Sequence, residues 1–355
     1  MKSFKFIKLY AFAGILLFTF SCKKPNEDVP VIELQDNRVF VINEGPFQSG
    51  TGSLSIINRD SLTVQNNVFE KINNRPLGNL VQSMEVFEDK AYIVVNNANR
   101  VEIADAESLL SLGTIENLNM PRYFLGISTE KAYVSCMDNT VAVVNLNNNT
   151  ITKNIACGTG PERMLLVENK TFVLNLGAYS VDSTISVINT GVDTVSATIV
   201  LAAKPNGICN DKNGNLWVIC SGNGWNGWPQ AGDSKGHLFC INPNDYSIIK
   251  DIEFPTNTEH PEKLVINKSK DVLFYVMTDG IYEFEISSTE LNSSPFIACN
   301  TMLYGLGFDD KIEYIYGTDA KDFVQNGWVY RYNSIDGALV DSFNIGIAPN
   351  GFCFN

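Results

Sequence analysis

Ala132-Tyr133-Val134, then after a short polar stretch Thr140-Val141-Ala142-Val143-Val144-Asn145, is the part of the sequence that decides the fold. Both runs are rich in β-branched and aromatic residues and are bounded by polar turn formers, which is the pattern of strands joined as a hairpin. The motif recurs in both directions. Ser-Leu-Ser-Ile-Ile-Asn ends at Asn58 and Thr-Ile-Ser-Val-Ile-Asn ends at Asn189. Strand-leading aromatics stand at Phe40, Tyr92, Tyr133, Phe172, Trp217, Phe274 and Tyr314. Closing positions follow at Asn58, Asp105, Asn145, Asn189, Asn242, Glu285 and Asn333, where only Glu285 breaks the Asx rule. The two series give the same period, about 46 residues, over seven repeats.

Prolines mark a third position in most repeats. Pro121, Pro161, Pro205, Pro261 and Pro349 each precede a short apolar run. Each repeat therefore holds four strands: one after the proline (a), one with the aromatic (b), one ending in Asx (c), and a weaker apolar run (d) such as Thr198-Ile199-Val200-Leu201. The Asx residue suits the c–d hairpin because its short side chain can bond the backbone two residues on. Four strands every 45 residues or so define an all-β, seven-bladed β-propeller of antiparallel four-stranded blades. The chain begins in strand b, Val39 to Asn43, and ends in an orphan strand a, Asn350-Gly351-Phe352-Cys353-Phe354, so the terminal strands are expected to pair and close the ring. On these residues residues 38–355 resemble the bacterial YVTN-type seven-bladed propellers, whose repeat runs proline, short strand, Tyr-Val strand, Val-x-Val-Ile-Asp strand.

Composition sets the class of partner. The 355 residues carry 26 Lys+Arg against 39 Asp+Glu, a net charge of -13 that argues against nucleic acid as a partner. Lys2, Lys5 and Lys8, an apolar stretch from Leu9 to Phe20, and Ser21-Cys22 have the order of an export signal. Twelve such residues are too few to span a bilayer comfortably. The small residue before Cys22 resembles a relaxed lipoprotein lipobox. That resemblance implies removal of residues 1–21, a lipid on Cys22, a polar tether over 22–37 and attachment to a membrane through the lipid alone. The mature chain then carries -16. Glu27-Asp28 resembles the surface-export signal of lipoproteins in some Gram-negative bacteria, which places the domain on the outer face of the outer membrane. Seven cysteines remain, with no C-x-x-C pair, and several lie in strand-like runs where a thiol serves as a small apolar side chain.

In a propeller the b–c and d–a loops share one face, so b–c length shows where binding surface has been added. From strand-b aromatic to closing position the counts are 18, 13, 12, 17, 25, 11 and 19. Blades 1, 4, 5 and 7 are expected to build two walls with a cleft between them. Their loops contribute Phe47 and Gln48, Tyr179, Trp225 and Trp228, and Phe323 and Trp328. The starts of the a-strands add Arg122, Tyr123, Arg163, Asn206, Tyr304 and Asn350. Aromatic rings interleaved with amides suit amphipathic, uncharged ligands. Catalytic equipment is sparse: the two histidines, His237 and His260, lack a supporting nucleophile motif, phosphate loops and dinucleotide fingerprints are absent, and no cofactor or metal site is indicated.

A lipid-anchored propeller with such loops, and Asn43-Glu44-Gly45-Pro46-Phe47 opening the first of them, resembles the cobalamin-capturing, BtuG-like surface lipoproteins. The resemblance implies a non-enzymatic protein that captures a corrinoid for a TonB-dependent transporter. A protein-interaction or glycan-binding adhesion propeller, and a propeller lactonase or lyase, are the alternatives.

Overall fold

Tyr133 explains why the inner strands read as unbroken apolar runs. In strand b of blade 3 (Lys131–Cys136), Ala132 and Val134 pack against blade 2, while Tyr133 between them packs against blade 4. A strand sandwiched between neighbouring sheets buries both faces, so alternation disappears. The outer strands keep it, as in Thr194–Val200, where exposed residues alternate with half-buried ones and with the buried Ile199.

The computed structural model describes residues 37–47, 49–226 and 228–354. The expected leader, Cys22 and the tether up to residue 36 lie outside the described residues. The rest forms seven four-stranded antiparallel sheets. Seven apolar clusters fill the seven seams between consecutive blades, the last joining blade 7 to blade 1 through Tyr316, Val329 and Ile345 against Val39, Val41 and Ile57. Ring closure is as expected. Pro349–Phe354 pairs antiparallel with Arg38–Asn43, setting Val39 opposite Phe354 and Val41 opposite Phe352.

The Asx residues act through their side chains. Asn58, Asn145, Asn189, Asn242 and Asn333 each accept, on Oδ1, the backbone N–H two residues on. Asp105 accepts the N–H of Ser108, three residues on. Four prolines begin their a-strands, and Pro261 sits one residue before Glu262–Ile266.

Three details depart from the sequence reading. In blade 7 the buried aromatic equivalent to the others is Tyr316, opposite Arg331 two residues before Asn333, whereas Tyr314 pairs with Asn333 and is half-buried. The Tyr-x-Tyr sequence offers two aromatics, and only register decides between them. A short helix, α1 (Val68–Asn73), links blades 1 and 2 and buries Val68 and Phe69 in their seam. At six residues it is too short for a helical period to show. Finally, the c-strand of blade 7 starts at Asn326, so Trp328 belongs to a strand and not to a loop.

All seven described cysteines are free. Cys136, Cys220 and Cys240 are buried in the seams as apolar side chains, and burial pushes the Cys136 thiol up to about 12. Among the described residues no helix is long and apolar enough to cross a membrane.

Candidate functional site

The antiparallel order sends every b–c and d–a connection to the same face, and a cavity of about 1070 Å³ opens there. Three long b–c loops supply its walls: Leu176 to Val181 of blade 4, Asn223 to Asn226 of blade 5, and Ala320 to Phe323 of blade 7. Blade 1 contributes Glu44 alone from its long loop. Residues from the starts of the a-strands make the floor.

Nine of the expected site residues meet in this cavity: Arg122, Tyr123, Arg163, Tyr179, Asn206, Trp225, Tyr304, Phe323 and Asn350. Phe47 and Trp228 are exposed, at 71% and 69%, and are not among the lining residues. Trp328 is half-buried within its strand, opposite Asp319 and Asn344, and does not line the cavity either. Gln48 lies outside the described residues.

The floor holds two groups of hydrogen-bonded polar side chains. Arg122 donates from Nε to Glu162 at 2.7 Å and from Nη1 to Gln82 Oε1 at 2.5 Å. Burial works against the Arg122 charge, but Glu162, Tyr123 and Glu44 outweigh it and raise its pKa. Glu44 accepts the Tyr304 hydroxyl at 3.0 Å and the Asn350 amide at 2.8 Å. Burial, followed by the Glu44 charge, pushes the Tyr304 phenol up. Asn206 donates to Ser221 Oγ at 2.6 Å, which in turn donates to the Pro261 carbonyl at 2.9 Å.

On the wall, cations lie on rings. The Arg163 guanidinium sits 4.9 Å from the Tyr123 centroid, Lys204 Nζ 4.7 Å from that of Trp225, and Lys263 Nζ 5.5 Å from that of Tyr304. Burial pulls the Lys204 ammonium below its usual value, against the opposing pull of Glu262 and Asp233. His260 is 2% exposed, and its backbone N–H and carbonyl are held by the Asn226 amide at 2.8 and 2.9 Å. Its Nδ1 faces the Ser221 carbonyl at 2.9 Å. A carbonyl only accepts, so Nδ1 donates, and the buried Nε2 has no hydrogen-bond partner among the described residues.

Sequence reasoning missed Gln82, Lys204 and Lys321 as site residues. Gln82 is the second residue of the a-strand of blade 2 (Val81–Phe87), the counterpart of Arg122 and Asn206. Blade 2 lacks the proline that marks this place elsewhere, so only the repeat count could have found it. Lys204 directly precedes Pro205 and was within reach of that marker.

Below the cavity a narrower space of about 380 Å³ follows the a-strands and shares Gln82, Tyr123, Arg163 and Asn350 with it. Glu85 lines this channel. Burial pushes its carboxyl up to about 7, although it accepts the Gly126 N–H at 3.1 Å, which pulls the other way. Between the ordinary carboxylate value and about 7 the folded chain therefore holds a proton that the unfolded chain has released. Stability is expected to fall as pH rises through that window and to level off above it. Urea midpoints at pH 5 and pH 8 test this: Glu85→Gln should gain on the parent protein at pH 8 relative to pH 5, and a pH-independent difference would contradict the assignment.

The fold is a seven-bladed β-propeller with its large cavity on the face of the b–c and d–a loops. The chain belongs to the family described as a domain of unknown function, DUF5074, whose model matches residues 37–354. No curated protein matches it. Among solved structures it is similar to a quinonprotein alcohol dehydrogenase-like protein from Bacteroides thetaiotaomicron at 15% identity and a TM-score of 0.66, covering 90% of this chain and 78% of that one. It is also similar to Kuenenia stuttgartiensis hydrazine synthase at 15% identity, with a TM-score of 0.63 and coverage of 79% and 92%. The computationally designed Ika8 protein matches at 8% identity, with a TM-score of 0.58 and coverage of 87% and 89%. At these identities the likeness concerns the fold alone.

Proposed function

We propose that this propeller captures a small molecule in the loop-face cavity, at the cell surface, and passes it to a TonB-dependent outer-membrane transporter. The observation that carries this reading is the hollow of about 1070 Å³, into which Tyr179, Trp225 and Phe323 project from three separate loops. That volume lies at the upper end of small-molecule sites. Tyr179 and Trp225 are 88% and 71% exposed, so the rings do not serve as core and have most of their area left for a ligand. A corrinoid, large and amphipathic, is the first candidate because of the likeness of the loops and N-terminus to cobalamin-capturing lipoproteins.

Binding is favoured over catalysis because the two histidines are apart in role. His260 lines the cavity, whereas His237 pairs with Asp251 at 2.7 Å and stacks on Phe239, away from it. Among the described residues no group of three or more metal-ligating side chains comes together.

Calorimetric titration of the purified protein with cyanocobalamin tests the ligand assignment. Binding at micromolar concentration is expected. Trp225→Ala should weaken it by more than about 1 kcal/mol as an anchor ring, while Trp228→Ala leaves it unchanged. Absence of heat and of co-elution retires the corrinoid, and equal losses from both variants move the site out of the cavity.

A further inference from the structure

The charges in the cavity are unevenly satisfied. Five cations line it, Arg122, Arg163, Lys204, Lys263 and Lys321, against the carboxylates Glu44, Glu162, Glu262 and Asp319. Arg122 pairs with Glu162 and Lys321 with Asp319, both at 2.7 Å, while Glu44 is capped by Tyr304 and Asn350. Arg163, Lys204 and Lys263 have no carboxylate within ion-pair distance among the described residues, and each rests over a ring instead. Lys204 gives one hydrogen bond, to the Gly224 carbonyl at 3.1 Å, and the side chains of Arg163 and Lys263 give none to the described residues. Among the described residues Glu262 alone of the lining carboxylates has no side-chain hydrogen bond or ion pair.

This is an unexpected arrangement in a chain of net charge -13, where carboxylates outnumber cations and an unpaired lysine has many partners to choose from. A ring face stabilises a cation without using its N–H groups, so three cations remain positioned with donors unspent. Their placement on blades 4, 5 and 6 puts them along one side of the hollow.

We infer that this arc recognises an oxyanion, a carboxylate or a phosphate ester, carried by the captured molecule. The inference rests on the cavity being the binding site and adds the charge class of its occupant. Loop composition alone pointed to uncharged ligands. The cations come from d–a turns and a-strand starts, which the loops do not reveal. Inside a partly enclosed cavity the local positive potential prevails over the distant negative surface, whose effect is cut by salt beyond about 10 Å.

Three probes with one aromatic body test it: naphthalene-2-carboxylate, 2-naphthyl phosphate and 2-naphthylmethanol, titrated into the full-length protein in detergent and followed by tryptophan fluorescence and calorimetry. Both anions are expected to bind at least ten-fold more tightly than the alcohol at low salt, with the advantage shrinking as salt is added. The tighter of the two anions identifies the group. The double variant Lys204→Met, Lys263→Met, which keeps the apolar stems, should erase the advantage, so that the anions bind no more tightly than the alcohol. Lys263→Gln alone, checked for an unaltered melting transition, should remove part of it. Equal binding of all three probes, or an anion preference that survives both variants, overturns the inference while leaving capture in the cavity intact. If no probe binds and cyanocobalamin does not either, both readings fall. Anion preference without cyanocobalamin binding sustains the oxyanion arc and removes only the corrinoid.

Discussion

A chain ending before Pro349 is expected to show no cooperative unfolding transition and to elute as aggregate. Its first blade would lack strand a, leaving the Arg38–Asn43 strand as an open edge beside the channel. The loss reaches further than five backbone pairings. Phe352 and Phe354 stand edge-on to Tyr316, with centroids at 5.4 and 5.3 Å, and so fasten blade 7 to blade 1. The Pro349 carbonyl accepts the Thr318 hydroxyl at 2.6 Å, and the Asn350 amide reaches both Glu44 and the Gln82 carbonyl at 2.8 Å. Full burial of a phenylalanine contributes about 1.5–3 kcal/mol, and with both rings half-buried the pair supplies a fraction of that each, still a noticeable share of the ~5–15 kcal/mol by which a domain is stable. Circular dichroism melts and size-exclusion chromatography are the measurements. A circular permutant that carries the same residues ahead of Asn37 should regain a sharp transition, because the sheet is restored with a different break in the chain. A truncated chain that melts cooperatively near the parent temperature would show that the ring holds without its last strand.

Asp309→Ala is expected to cost about 3–5 kcal/mol. Asp309 ends strand a of blade 7 (Gly305–Asp309) and accepts from Arg59, just past strand c of blade 1, at 2.6 Å from Nε and 3.2 Å from Nη2. The two side chains are 0% and 1% exposed, so this two-point bond crosses the closing seam out of reach of water. Removing the carboxylate leaves a buried guanidinium charge, which is dearer than the pair's own net contribution. The Tyr316 hydroxyl, 3.3 Å from Asp309 Oδ2, loses an acceptor as well. Arg59→Met with Asp309→Leu should recover most of the loss, since the charge then goes with its partner. Urea midpoints of the two variants decide the matter: if Asp309→Ala falls by less than 1 kcal/mol, the seam does not depend on this pair.

The fold was readable because its rules are local and repeated. Tyr133 and Asn145 each report a position in the blade by their own chemistry, one by filling a seam between sheets and the other by bonding its turn, and seven copies average out single failures such as Glu285. Where a rule has two solutions nearby, as with Tyr314 and Tyr316, sequence spacing does not choose, because pairing with the next strand does. The site was readable in part. Tyr123, Asn206 and Asn350 follow from repeat position and Trp225 from loop length, but a loop's length does not say how it folds, and so Phe47 and Trp228 stand outside the cavity. Two of the three cation–ring pairs, Arg163 with Tyr123 and Lys263 with Tyr304, join residues of different repeats, and the third, Lys204 with Trp225, joins positions about twenty residues apart, so no local motif contains them.

The side-chain-bonded c–d hairpins lie at the end of the blades opposite the hollow, since each antiparallel strand reverses the chain. Hairpin chemistry and recognition chemistry are thus written in separate text. A segment such as 176–183 can be exchanged as a cassette while the asparagines that set the blades stay untouched, which makes the loop face a surface that can be rewritten in the laboratory at little risk to the hairpins opposite.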